Sequence, residues 1–222
     1  MPFSLTLKDA VPIADGETQV VYRHPTDPSL LVKIRKLDKL ERSYARKLGG
    51  MIGYKRRHGH YTTWQRELDH YFSVCLRLGY RPNFLQEYHG VVDTDLGLGL
   101  VVRQVIDRSG SLAPTLAQVV KRDGLSEDLR AKVADLARQM NELRISTNDI
   151  SVKNIVYGWN ERLGDHLVVI EGIGVNTFVP VARFSNYLNV RSNNRHFARA
   201  IGSMEKIERR RAEAADLISS GS

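Results

Sequence analysis

Leu30-Leu31-Val32-Lys33-Ile34 sets one lysine in the middle of an otherwise apolar run. Aliphatic and β-branched residues in a row of this length predict a strand, so Lys33 stands out by its context. Upstream, Thr18-Gln19-Val20-Val21-Tyr22 is a second such run. His24-Pro25-Thr26-Asp27-Pro28-Ser29 between them is dense in turn formers, which predicts a hairpin or meander. Downstream, Leu37, Leu40, Tyr44 and Leu48 fall at helical spacing until Gly49-Gly50 and Gly53 interrupt them. A helix is then expected over 62–79. Thr62 and Gln65 have capping-box spacing, Trp64, Leu68, Tyr71, Phe72, Cys75 and Leu78 form an apolar stripe, and Gly79 is a stop.

Strand character returns at Val91-Val92 and from Leu98 to Ile106, either side of a turn at Asp93–Gly97. A linker with Ser109-Gly110-Ser111 and Pro114 follows. A second helix is predicted over 126–143, capped by Ser126, with Glu127 and Asp128 in its first turn and a stripe of Leu129, Val133, Leu136, Ala137, Met140 and Leu143. After it come a polar loop at 145–154, the run Ile155-Val156-Tyr157, a turn from Gly158 to Asp165, and the apolar strand Leu167–Ile170 ending in Glu171-Gly172. The last fifty residues read as helical. A β-rich part followed by an α-rich part makes an α+β chain with a hinge near 107–113.

Charge is concentrated in one place. The chain has 222 residues with 33 Lys+Arg against 25 Asp+Glu, a net charge of +8. The stretch from Lys33 to His60 holds ten of the basic residues and only Asp38 and Glu41 as acids, so it carries the whole excess. The protein is therefore balanced apart from one basic insert, unlike a packaging protein that is basic throughout. A solvated face, a dock for an acidic protein or membrane face, and a contact for nucleic acid or a phosphorylated substrate all fit the insert. Tyr44 and Tyr54 are too few for a base-stacking platform, so nucleic acid is the less favoured partner. Arg209-Arg210-Arg211 forms a second, weaker patch, offset locally by Glu205, Glu208 and Glu213.

Several classes are excluded. Cys75 is the single cysteine, which rules out an internal disulfide framework and a Cys-based zinc site and fits a cytoplasmic setting. No apolar run approaches the length of a membrane span, and the N-terminus lacks a signal-peptide pattern. His58 and His60 have no third ligand beside them and read as loop residues.

The remaining polar positions form a set. Lys33 lies in a strand and Glu67 on the next helix. Asp149 and Asn154 are five positions apart in a loop, and Glu171 ends an apolar strand before a glycine. These are the parts of a phosphoryl-transfer site. The lysine meets nucleotide phosphate and the glutamate orients it. Asn154 and Glu171 hold magnesium, and Asp149 positions or deprotonates the acceptor hydroxyl. Simpler readings stand beside these: a surface Lys33–Glu67 pair of under about 1 kcal/mol, turn roles for Asp149 and Asn154, and a plain strand-end turn at Glu171-Gly172.

The same residues carry a family resemblance. Val21–Pro28 leading into Val32-Lys33-Ile34, then Arg66-Glu67-Leu68-Asp69-His70-Tyr71, Tyr88–Gly99, Lys153-Asn154-Ile155-Val156, and Glu171-Gly172-Ile173-Gly174 with Phe178-Val179-Pro180-Val181-Ala182 together resemble the PhoP regulatory network protein YrbL family, a bacterial branch of the protein-kinase-like fold. The resemblance covers nearly the whole chain. It implies a truncated kinase-like domain, with a small β-rich N-lobe at 1–106 (sheet, helix 62–79, basic insert 35–60) and a helical C-lobe at 107–222 with a catalytic-like loop at 145–154. It further implies ATP and Mg2+ as cofactors, Gly16 in the nucleotide-covering loop and Val102–Asp107 as a hinge against adenine. The departures from kinases are specific. Gly16 is the only glycine in Ala14-Asp15-Gly16-Glu17-Thr18, Thr147 stands where a histidine is usual, Ser151 stands where lysine or histidine is usual with Lys153 as substitute, and the metal aspartate is Glu171. Two activities follow from this mixture: an ATP-dependent phosphotransferase with degraded motifs, or an inactive pseudokinase scaffold working through protein contacts, with the insert at 33–60 as the dock for an acidic partner.

Overall fold

The structure is a computed structural model that describes residues 5–36, 61–147, 150–174 and 186–220. Two compact units make up the chain: residues 1–65 with 87–104, and residues 66–86 with 105–222.

The first unit is built on a five-stranded antiparallel sheet. Its strands are β1 (Ala14–Asp15), β2 (Gln19–Arg23), β3 (Leu30–Arg35), β4 (Tyr88–Thr94) and β5 (Gly97–Arg103), in the order β1-β2-β3-β5-β4. The apolar run around Lys33 is thus the middle strand, with Lys33 opposite Val21 on one side and Leu100 on the other. Alternation on β3 puts Val32 and Ile34 into a core with Leu7, while Leu5, Tyr22, Val92 and Leu96 cover its rim. The outer edge at β4 is not left open. Leu5 bridges Thr94, and the Asp95 carboxylate accepts the amides of Leu7 and Lys8 at 2.7 and 2.9 Å. Those bonds hold Asp95 below the usual carboxylate range.

The β4–β5 turn explains two glycines. Gly97 has φ +100°, a conformation side chains resist. Gly99 faces Val32 so closely that a Cβ there would lie 2.5 Å from Val32 Cγ1.

Helix α1 runs from Thr62 to Leu78, as the spacing predicts, and Gly79 ends it with φ +76°. Its buried face differs from the apolar stripe. Phe72 is 62 % exposed, whereas Glu67 and His70 are buried beside Trp64, Tyr71 and Val74. A purely apolar criterion fails here because two polar side chains face inward to meet backbone groups.

The second unit adds α2 (Leu116–Asp123), α3 (Glu127–Glu142), the hairpin β6 (Ile155–Asn160) and β7 (Gly164–Val169), and α4 (Asn186–Ser220). Helix α2 falls in the segment read as linker. Its capping box is complete: Thr115 Oγ1 accepts the Gln118 amide, and Gln118 Oε1 accepts the Thr115 amide. Ser126 caps α3 by accepting the Leu129 amide, and Leu129, Val133, Leu136 and Met140 are buried as expected. The turn expected from Gly158 to Asp165 is shorter. Strand β6 continues to Asn160, and Gly158 sits inside it because Val105 Cγ1 would lie 2.5 Å from a Cβ. Amide bonds from Tyr157 to Pro114 and from Trp159 to Ile106 tie this hairpin to the segment before α2. Helix α4 packs against α2 and α3, burying Asn189, Asn193, Phe197, Ala200 and Met204.

Candidate functional site

In the first unit, Lys33 is 4 % exposed in the centre of the sheet. An ammonium taken out of water is costly unless it is paired, so a solvated surface role for it is excluded. Glu67, in the second unit, is also buried, at 5 % exposed. Gly16 occupies a tight turn between β1 and β2, its amide donating to Gln19 O at 2.9 Å. That turn consists of Gly16-Glu17-Thr18 alone. Lys36 pairs with Asp15 beside it, and Glu17 is exposed.

In the second unit the structure brings three of the candidates to one place. The Gly172 amide donates to Glu67 Oε1 at 2.7 Å. The Ile170 amide donates to the Asn154 carbonyl at 2.9 Å. Glu67 and Asn154 thereby hold the two neighbours of Glu171. Gly172 has φ +90°, so Glu171-Gly172 is a turn, but one clamped by α1. Asn154 also closes a turn, its amide donating to Ser151 O at 2.9 Å. Lys153 is exposed.

The loop before Asn154 is joined to the same strand end. Thr147 bridges Ile173, and the Gly174 amide donates to Ser146 O at 2.9 Å. Gly174 lies so near α1 that a Cβ would be 3.3 Å from Arg66 O. Asp149 lies outside the described residues, as do the basic insert from 37 to 60 and the Phe178–Ala182 stretch.

Two residues that the motifs did not single out fix this loop. His70, one turn after Glu67 on α1, accepts the Ser146 amide on Nε2 at 3.1 Å. Accepting there requires the neutral ring with its proton on Nδ1. Asn193 of α4 is wholly buried, and its side chain joins four groups. Its Oδ1 accepts from Thr147 N and Oγ1 at 3.2 and 3.1 Å, and its Nδ2 donates to Ile145 O and Asn141 Oδ1 at 2.9 and 3.0 Å. His70 was legible as the i+3 neighbour of Glu67 on one helix face. Asn193, 46 residues from Thr147 in sequence, had no local signal.

Asn154 and Glu171 offer an amide oxygen and a carboxylate, the hard oxygen donors that magnesium prefers. Among the described residues no trio of His, Cys, Asp and Glu gathers in a manner suited to a metal. The donor chemistry of Asn154 and Glu171 is of the kind that suits Mg2+. The resolved carboxylate shifts lie elsewhere. Arg108, in a two-bond contact of 2.9 and 2.8 Å, holds Asp165 below its usual range. These two line an open depression of about 270 Å³ with Tyr157, Trp159 and Arg122. Arg122 is likewise neutralised, by Asp123, so that depression offers no spare positive charge.

A model of the PhoP regulatory network protein YrbL family matches residues 5–205. The chain belongs to this family. The YrbL proteins of Escherichia coli (strain K12) and Shigella flexneri are each 27 % identical to it over 200 residues, covering 89 % of this chain and 86 % of theirs. Among solved structures, the kinase domain of Mycobacterium tuberculosis PknI aligns with a TM-score of 0.51 at 15 % identity, over 86 % of this chain and 69 % of that one. Rad53 1–466 in complex with AMP-PNP aligns with a TM-score of 0.48 at 13 % identity, over 87 % of this chain and 46 % of that one. The chain thus spans just under half of the Rad53 chain. The PknI likeness gives the fold: protein-kinase-like and α+β, with an antiparallel N-terminal sheet and a mainly helical C-terminal part. Among the described residues no helix is long and apolar enough to cross a membrane.

Proposed function

We propose that this YrbL-family chain binds ATP together with magnesium and transfers phosphate from it. The observation that supports this reading best is the double clamp on the strand end. Glu67 takes the Gly172 amide and the Asn154 backbone carbonyl takes the Ile170 amide, which fixes both neighbours of Glu171 and ties its strand end to the Asn154 loop. Lys33 keeps the phosphate role, and Asp149 the role at the acceptor hydroxyl, that the resemblance assigns them. Magnesium, when bound, neutralises phosphate charge. The chain's own part is to hold Asn154 and Glu171 in register for it.

Thermal denaturation with ATP and MgCl2 tests binding, because a ligand of the native state raises its stability by mass action. The expected result is a rise in Tm that grows with millimolar nucleotide, falls with Lys33→Met and needs Mg2+ through Glu171. No rise at several millimolar ATP sinks the proposal. Transfer is tested separately with radiolabelled ATP. Equal background from wild type and Asp149→Ala removes the enzyme and leaves the binder.

One observation favours the pseudokinase alternative. The β1–β2 turn has a single glycine and an exposed Glu17, whose charge repels phosphate. On that reading the chain acts through protein contacts, with the basic insert as dock for an acidic partner. Its signature is partner capture that survives Lys33→Met and is lost on neutralising Lys55, Arg56 and Arg57.

A further inference from the structure

Helix α4 has one buried face and one charged face. The buried face carries Asn189, Asn193, Phe197, Ala200 and Met204. At about 100° per residue, Arg191, Arg195, Arg199, Lys206, Arg209 and Arg210 all fall within roughly 100° of arc on the other side, and all six are exposed. In sequence, Glu205 and Glu208 offset this charge. In the structure they do not, because both are engaged elsewhere. Glu205 pairs with Arg130 at 3.0 Å, while Glu208 pairs with Arg211 at 3.2 Å and accepts the Leu125 amide at 3.1 Å. None of the six stripe cations has an ion-pair partner among the described residues. Between 191 and 210 no acid falls on the stripe; Glu213 follows one turn later.

We propose that this face of α4 binds the phosphate backbone of duplex nucleic acid, without sequence preference. The stripe is about 28 Å long at 1.5 Å per residue, roughly eight base pairs at 3.4 Å each. Between the cations stand only small residues, Ala198, Gly202 and Ser203. A protein interface is anchored by buried aromatic or apolar side chains, and an interfacial membrane helix by apolar ones. This face has neither. It also lacks the successive aromatics that stack single-stranded bases, with Tyr187 alone exposed at one end. Asn194, the nearest side-chain amide, of the kind that reads adenine, is bonded to Asn141. An arginine-rich surface without an apolar centre is what a polar, strongly positive nucleic-acid contact requires.

Fluorescence anisotropy of the full chain with a labelled 20-base-pair DNA of mixed sequence tests this. Neutralising about six phosphates gives a log–log salt slope near −5 and a loss of about 1000-fold between 50 and 200 mM salt. The combined variant Arg195→Glu, Arg199→Glu, Lys206→Glu is expected to weaken binding at least tenfold and to flatten the slope by about 3, whereas Arg211→Gln leaves both unchanged. Should charge reversal unfold the helix by circular dichroism, Arg191→Gln, Arg195→Gln, Arg199→Gln keeps helix propensity and is expected to act in the same direction. Binding unaffected by the stripe variants but lost on neutralising Lys55, Arg56 and Arg57 overturns the proposal. Stripe-dependent binding to anionic phosphatidylserine vesicles or polyglutamate in the absence of duplex binding also overturns it.

Discussion

Glu67 Oε1 accepts the amide hydrogen of Gly172 at 2.7 Å, across 105 residues of sequence. The residue that the family resemblance assigns to a lysine partner is, in this structure, the clamp on the turn that carries Glu171. Glu67→Ala leaves the Gly172 amide without this acceptor and is expected to cost about 1–3 kcal/mol in urea denaturation. Glu67→Gln keeps an oxygen for the amide but drops the charge. It is expected to cost less stability than alanine while still weakening the ATP–Mg2+ rise in Tm. Equal stability losses from the two variants would contradict the clamp.

Asn193 is expected to matter more than its distance from any motif suggests. Asn193→Ala strands the Thr147 amide and the Ile145 carbonyl in a buried setting, where each unpaired group costs about 1–3 kcal/mol. Asn193→Asp keeps the acceptor for Thr147 but loses the donor to Ile145 O and Asn141, and adds a buried charge. Both should lower the urea midpoint and raise hydrogen exchange at Ile145 and Thr147. Unchanged exchange there would refute the anchoring role.

Gly99→Ala drives a methyl group against Val32, which is itself fully buried, and against Ile34 and Thr94 at 3.2 Å. Overpacking of this kind costs about 1–3 kcal/mol. Gly202→Ala, on the open side of α4 with nothing near its Cβ, is expected to stabilise slightly through helix propensity, by up to about 1 kcal/mol. A thermal melt of the two variants should move in opposite directions.

The Arg108–Asp165 contact sets a pH dependence of known sign. Hydrogen bonds from Arg108 depress the Asp165 pKa below its ordinary 3.8. The contact therefore contributes stability above the unfolded value, and that contribution is lost as pH falls through the folded value. Carboxyl NMR should show Asp165 titrating late on acidification, and Arg108→Gln should return it toward 3.8. An unchanged titration would show that the guanidinium is not the cause.

Most of the architecture was readable along the chain because it rests on local patterns. The runs around Val20 and Val32, the Ser126 cap and the stripe from Leu129 to Met140 all became the elements they predict. Helix α2 escaped because a linker signal at Ser109–Pro114 sits directly before it, although Thr115 and Gln118 spell its capping box. Phe72 was misplaced because hydrophobicity alone cannot show that Glu67 and His70 take the inner face to satisfy distant amides. Lys33, Glu67, Asn154 and Glu171 stood out as polar residues in apolar or turn contexts. What sequence could not show was how the loop is held, since Asn193 looks like any helix-surface asparagine until Thr147 and Ile145 are beside it. For the same reason Glu205 and Glu208 looked like neutralising neighbours of the tail arginines.

The Asn193 junction also sets a schedule. Chains are made from the N-terminus, and domains fold as their parts emerge. A nascent chain that has reached residue 174 already contains Glu67, Asn154 and Glu171, yet Thr147 and Ile145 still await an amide group encoded 46 residues after Thr147. The loop at 145–147 therefore gains these bonds only once α4 has been made and has docked. A chain halted before Asn193 is expected to leave that loop without its side-chain anchor.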